Sequence, residues 1–78
     1  AAHHYNLGLA LQKDGQNGEA IEAFDRAIAL DASHTKAYLS KALSFQRIGE
    51  LSQARTALES LLSIDPSNSV ATRLLQRM

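Results

Sequence analysis

The chain has 78 residues, at most one small domain, and a single core of this size rarely supplies more than roughly 3 to 5 kcal/mol of net stability. Eight basic and eight acidic residues give a formal net charge of zero, which argues against a nucleic-acid partner. No apolar run approaches the roughly 20 residues of a membrane span, so membrane insertion is not expected. The absence of cysteine excludes a disulfide framework and thiolate metal sites.

Hydrophobic periodicity predicts helices along the whole chain. Leu7, Ala10 and Leu11 recur at spacings of three and four, a polar segment at 14–18 interrupts them, and the same period resumes from Ala20. This is the pattern of a helical hairpin, and it occurs again further along. The predicted helices cover residues 2–14, 18–31, 35–48, 52–64 and 68–77.

Glycine and capping residues indicate where the predicted helices end. Gly15 and Gly49 each follow a polar or basic helical turn, where a left-handed residue without a Cβ closes a helix at least cost. Ser52 is expected to cap the fourth helix through its hydroxyl. The segment 65–68, Asp-Pro-Ser-Asn, is expected to end that helix and cap the next.

The chain repeats itself with a period of 34 residues. Seven of the 34 aligned pairs are identical, several times the number that random composition gives. These pairs are Leu9 with Leu43, Gln12 with Gln46, Gly15 with Gly49, Ala20 with Ala54, Ala23 with Ala57, Asp31 with Asp65, and Ser33 with Ser67. The predicted units are one domain at 1–78, made of repeats at 1–34 and 35–68 and a terminal helix at 69–78.

Small residues are predicted where the two helices of a hairpin cross, because they allow the 8 to 10 Å approach typical of close helix packing. They are Gly8, Ala20, Ala42 and Ala54. Phe24 and Leu58 are expected to fill the space between hairpins, with Leu30 and Ile64 among their neighbours. One hairpin alone cannot bury such a face.

The residues at these spacings resemble the tetratricopeptide repeat signature. In the first unit the resemblance rests on Asn6-Leu7-Gly8, Gly15, Glu19-Ala20-Ile21-Glu22, Phe24, Ala27-Ile28 and Leu30-Asp31. In the second it rests on Ala37-Tyr38, Ala42, Phe45, Gly49, Ala54, Leu58 and Ile64-Asp65-Pro66. Departures occur at Asn17, Ala32, Lys41 and Leu61, where an apolar residue, proline, leucine and alanine are usual. The resemblance implies an all-α fold, a right-handed α-α superhelix of two helix-turn-helix repeats with a C-terminal capping helix.

The resemblance also implies a protein-interaction module, since the first helices of such arrays line a concave groove that holds segments of partner proteins. Projected onto the family geometry, the candidate peptide-binding groove comprises Tyr5, Leu9, Gln12, Lys13, Lys36, Leu39, Ser40, Leu43, Gln46, Arg47, Arg73 and Leu74. Val70 and Arg77 could extend it along the terminal helix. A family variant grips a C-terminal carboxylate with Lys, Asn and Arg, but the corresponding places here hold Tyr5, Leu9, Ser40, Val70 and Leu74. That clamp is therefore not expected.

Charge is sorted between the predicted helices. Six of the eight basic residues lie in the first or terminal helices, whereas seven of the eight acidic residues lie on second helices or turns. A neutral protein can thus carry a locally cationic groove with apolar anchors. The hypothesis is a partner protein or peptide with acidic residues flanking one or two apolar side chains.

Other interpretations stay open at this point. Exposed Lys and Arg commonly only solvate a helix face, and Leu39 and Leu43 could be covered by a neighbouring repeat or a second copy. The alternative function is a self-assembling scaffold, a homo-oligomer in which repeats of different subunits stack end to end. RNA binding by the basic face is a weaker alternative, because only Tyr5 offers a stacking aromatic beside the cations.

Catalytic, cofactor and metal constellations are not visible in the sequence. His3 and His4 are adjacent and project about 100° apart on a helix, so they cannot share a metal, and His34 lies in a predicted turn. The charged residues of segment 19–26 are spaced for surface ion pairs. No nucleophile, base and acid occur at a recognisable spacing, and no phosphate-loop motif is present. The prediction is a non-enzyme without cofactors.

Overall fold

The structure is a computed structural model that describes residues 2–77 as five α-helices. They are α1 (Ala2–Lys13), α2 (Asn17–Leu30), α3 (Thr35–Arg47), α4 (Leu51–Ile64) and α5 (Ser69–Arg77). Each predicted helix is present with bounds within one residue of the prediction, and no strand occurs among residues 2–77. Ala1 and Met78, the outer limits of the predicted domain, lie outside the described residues.

The helices pack in chain order. α1 with α2 and α3 with α4 form two helical hairpins, α2 packs on α3, α5 packs on α4, and α1 also touches α3. The described part of the chain measures 27 × 26 × 15 Å. The predicted all-α architecture, two stacked helix-turn-helix units with α5 covering α4, is confirmed.

The turns within the two hairpins are built alike. Gly15 and Gly49 both have a φ of 82°, the left-handed conformation in which a residue with a Cβ is strained. The residue after the first glycine, Gln16, donates its N–H to the carbonyl of Leu11 at 2.8 Å, and the equivalent bond in the second hairpin is 2.9 Å. This is the Schellman closure of a helix, so the predicted role of both glycines is confirmed.

The fourth helix, α4, begins at Leu51, one residue earlier than predicted. The N-cap residue is Glu50, whose side chain makes no capping hydrogen bond, and Ser52 lies inside the first turn. The N–H of Glu50 bonds back to the preceding helix, so α4 starts at the very next residue, Leu51. The expected cap by Ser52 is therefore wrong.

The turns that lead into α3 and α5 also repeat. The Oδ1 atom of Asn68 accepts a hydrogen bond from the N–H of Ala71 at 2.9 Å, which confirms the capping predicted for segment 65–68. One repeat earlier, the Nδ1 atom of His34 accepts from the N–H of Ala37 at 3.3 Å. His34 thus satisfies one of the free donors at the start of α3.

Small and large residues alternate in the core. The four small residues predicted at helix crossings are all buried, namely Gly8, Ala20, Ala42 and Ala54. Gly8 lies against the ring of the fully buried Phe24, so closely that a Cβ on Gly8 would be 2.5 Å from the ring atom Cε1. Leu58 is fully buried at the equivalent place in the second hairpin.

Two aliphatic residues that were expected in the core, Leu30 and Ile64, lie at the surface instead. Leu30 is 65% exposed and Ile64 is 39% exposed, because each is the last residue of its helix and lies beyond the buried stripe. Leu61, at a place where the resemblance leads one to expect alanine, is fully buried. It belongs to the cluster that joins the second hairpin to α5, formed by Ala42, Ala57, Leu58, Leu61 and Ala71.

Candidate peptide-binding surface

The first helices of the two hairpins lie side by side and are tied by hydrogen bonds. The amide of Gln12 on α1 donates to the carbonyl oxygen of Ser40 at 2.9 Å and to the hydroxyl of Ser44 at 2.8 Å, both on α3. A guanidinium nitrogen of Arg47 donates to the carbonyl of Gln12 at 3.4 Å. These bonds bring together three of the residues predicted for the groove, namely Gln12, Ser40 and Arg47.

The polar residues predicted for this surface divide into two groups. Ser40 is only 7% exposed, and Gln12 is held between α1 and α3, so both contribute to the scaffold of the surface. Gln46 occupies the position equivalent to Gln12 one repeat later and is half-buried. Within residues 2–77 the side chain of Gln46 makes no hydrogen bond, unlike that of Gln12.

The cations predicted for the groove are exposed. Lys13, Lys36 and Arg47 lie exposed on α1 and α3, and Arg73 is exposed on α5. None of them is paired with a carboxylate inside the described chain. Within the described residues, the charges of these four side chains are therefore not neutralised by an ion pair.

Lys41 lies apart from these cations, although it is also in a first helix. Its ammonium pairs with the carboxylate of Asp25 on α2 at 2.5 Å and lies 5.8 Å from the ring centroid of Phe45. This is the one ion pair recorded between residues 2 and 77. The sequence-based count of basic residues in first helices therefore overstates the charge of the groove by one.

The apolar residues predicted for the groove are all half-buried. The ring of Tyr5 lies 4.8 Å from that of His34, measured between centroids, which holds it near the turn between α2 and α3. Leu39 and Leu74 pack against the buried cluster of the second hairpin. Leu9 and Leu43, at equivalent positions on α1 and α3, lie outside that cluster and are the better candidates for partner anchors.

The hydrogen bonds of Gln12 provide a direct test of its structural role. Gln12→Ala is expected to lower the free energy of unfolding by about 1 to 3 kcal/mol, because the buried Ser44 hydroxyl and the Ser40 carbonyl lose their shared donor. Gln46→Ala removes the same side chain from the equivalent position and should change stability by no more than about 0.5 kcal/mol. Urea unfolding followed by circular dichroism measures both, and equal losses would contradict this role.

Metal-binding and membrane-spanning features can be examined directly in residues 2–77. No group of three or more His, Cys, Asp and Glu side chains in that range could hold a metal ion. No helix of the described part has the length and apolar character needed to cross a membrane.

The stacked hairpins, tied through their first helices, define a helical-repeat protein. A family model described as tetratricopeptide repeat matches residues 5–69, most of the chain, so the protein belongs to the tetratricopeptide repeat family. A comparison with curated proteins finds no match. Tetratricopeptide repeats generally mediate protein–protein interaction, which is the coarse function that the fold supports.

Proposed function

We propose that the surface formed by α1 and α3 binds an acidic, partly apolar segment of a partner protein. The observation that carries this proposal is the set of exposed cations Lys13, Lys36 and Arg47, which have no carboxylate partner in the described chain and lie on the helices that carry Leu9 and Leu43. An acidic segment supplies the missing charges, while its apolar side chains cover the two leucines.

The residues of this surface have separate roles in the proposal. The cations steer the partner and select its charge, because a locally positive surface raises the encounter rate of an acidic segment. The leucines provide the apolar contact, and the amide of Gln46 reaches a backbone carbonyl of the partner. Arg73 and Leu74 extend the same surface onto α5.

Fluorescence anisotropy with a labelled peptide tests the proposal, the peptide carrying two leucines flanked by glutamates. Binding should be saturable, and its on-rate should fall with added salt, since charges are screened beyond about 10 Å at 0.1 M. Lys36→Glu combined with Arg47→Glu is expected to weaken binding at least about tenfold, because attraction becomes repulsion.

A matched variant controls for the change in net charge. Arg26→Glu combined with Arg55→Glu alters charge equally but on the second helices, where both arginines are exposed, and it should bind the peptide like the native chain. A peptide with lysines in place of the glutamates should not bind. An affinity that ignores salt, or equal losses in the two double variants, would refute the proposal.

The apolar half of the proposal is tested separately at Leu43. Leu43→Asp is preferable to a substitution of Leu39. Because Leu39 packs against the core, its substitution would also lower the stability of the domain, and a loss of peptide binding could then not be assigned to a lost contact. Leu43→Asp should weaken binding of the peptide at any salt concentration, while the helix content of the protein stays unchanged.

A further inference from the structure

The first hairpin carries an open groove along the seam between α1 and α2. Its volume is about 360 Å³, its floor is apolar and its edges are polar or charged, the lining residues being His4, Leu7, Leu11, Glu19, Glu22, Ala23 and Arg26. Leu7 is 44% exposed, a large fraction for a leucine in a groove. We call this surface the N-terminal face.

The second hairpin has the same groove, residue for residue, 34 positions further on. Its lining is Tyr38, Lys41, Phe45, Gln53, Thr56, Ala57 and Ser60. In the second hairpin this side is turned toward the first, because α2 packs on α3 and Lys41 pairs with Asp25. The N-terminal face is therefore turned away from the second hairpin, and no helix of the described chain packs there.

Three charged side chains distinguish the N-terminal face from its counterpart. Glu19, Glu22 and Arg26 stand where the second hairpin has uncharged side chains, and all three are exposed, so the carboxylates outnumber the cation by one. The ion pairs that their spacing to Arg26 suggested are wrong, since none is recorded among these residues in the part of the chain described. A helix that covers Leu7 and Leu11 would therefore fit with cations placed beside Glu19 and Glu22 and away from Arg26.

The opposite end of the stack presents a helix with that chemistry. One side of α5 packs on α4, with Ala71 fully buried. Residues at spacings of three and four form a second stripe along α5, composed of Val70, Arg73, Leu74 and Arg77. Val70 is 48% exposed, both arginines are exposed, and Leu74 is half-buried. We call this the α5 stripe.

We infer that the α5 stripe of one molecule docks on the N-terminal face of a second copy. The apolar residues of the stripe cover Leu7 and Leu11, while its two arginines approach Glu19 and Glu22. The two surfaces are different parts of one molecule, so the contact is heterologous and continues into a series of copies unless the rotation closes it.

This inference goes beyond the peptide-binding proposal and can fail independently of it. The α1 and α3 part of the groove stays open in such a series, whereas Arg73 and Leu74 become contacts between copies. The variant with Lys36→Glu and Arg47→Glu should therefore lose the acidic peptide and keep self-association.

Sedimentation equilibrium on the full chain tests the inference. The average mass should rise with concentration, and added salt should lower it, because the facing charges are screened. Glu19→Lys combined with Glu22→Lys, and separately Arg73→Glu combined with Arg77→Glu, should each raise the dissociation constant at least about tenfold, since like charges then face each other. All four side chains are exposed, so circular dichroism should show unchanged helix content.

A mixture of the two double variants gives the decisive result. Each variant alone opposes like charges, but in the mixture every α5 stripe finds a face of opposite charge, so association should return. Asp14→Lys combined with Glu50→Lys has the same net charge as the reversed face, changes only exposed turn residues, and should associate like the native chain. A native chain that stays monomeric at its highest soluble concentration, or a mixture no heavier than its separate components, would overturn the inference.

Discussion

Gly8→Ala is expected to destabilise the domain, although alanine is the better helix former by about 1 kcal/mol. A Cβ at position 8 would lie 2.5, 2.7 and 2.9 Å from three atoms of the Phe24 ring. That ring is fully buried, so it cannot move into solvent. Overpacking a core costs about 1 to 3 kcal/mol, and contacts this short belong at the upper end. The expected net loss, measured by urea unfolding, is therefore about 2 kcal/mol.

The second repeat contains the compensated form of the same contact. At the equivalent positions it has Ala42 and Leu58, a larger first residue facing a smaller second one, and both belong to one buried cluster. Gly8→Ala combined with Phe24→Leu reproduces this pair. The double variant should therefore be more stable than the sum of the two single losses predicts, by about 0.5 to 3 kcal/mol of coupling energy.

A second glycine on a helix separates crowding from helix propensity. Gly18 lies in the first turn of α2, and a Cβ there would meet no atom within 4 Å. Gly18→Ala should therefore leave stability unchanged or raise it by up to about 1 kcal/mol. If the losses at Gly8 and Phe24 simply add, or if Gly8→Ala behaves like Gly18→Ala, the proposed contact does not limit the packing of α1 on α2.

The period of 34 residues made most of the fold predictable. Equivalent residues form equivalent structures, as at Gly15 and Gly49, which share one backbone conformation, and at His34 and Asn68, which cap successive first helices. A residue type recurs because its place in the stack recurs. The helix bounds followed from the same repetition.

The failed predictions concern places where periodicity carries no information. A hydrophobic period indicates which side of a helix is buried but not where along the helix burial ends, so the helix-terminal residues Leu30 and Ile64 were wrongly placed in the core. Ser52 has a side chain that can cap a helix. However, α4 begins at Leu51, soon after the turn at Gly49, so Ser52 lies inside the helix and not at its N-cap. Burial of Leu30 and Ile64 and capping by Ser52 both depend on the position along the helix and not on the residue type.

The candidate site was predictable in its composition but not in its pairing. The cations of α1 and α3 can be counted from the sequence, whereas the pairing of Lys41 with Asp25 depends on how α2 lies against α3. The bonds from Gln12 to α3 likewise depend on the distance between two helices of different repeats. The identity of Gln12 with Gln46 was the one signal for that position, and it did not reveal the partners.

Leu61→Ala should have the largest effect of any single substitution considered, even though alanine is the residue that the family usually has there. Leu61 is fully buried in the cluster that holds α5 against α4. Truncating a buried leucine to alanine costs about 2 to 5 kcal/mol, against a total of roughly 3 to 5 kcal/mol for a core of this size. The loss is therefore comparable to the whole stability of the domain, and a measurable fraction of the molecules should be unfolded at room temperature.

The comparison with Leu30→Ala isolates the contribution of burial. Leu30 lies at the end of the equivalent helix and is 65% exposed, so the same truncation should cost less than about 1 kcal/mol. At the position equivalent to Leu61, Ala27 is also fully buried, because α3 covers α2 there. The leucine in the second repeat fills the corresponding space under α5. Equal unfolding midpoints for Leu61→Ala and Leu30→Ala would mean that α5 does not depend on this contact.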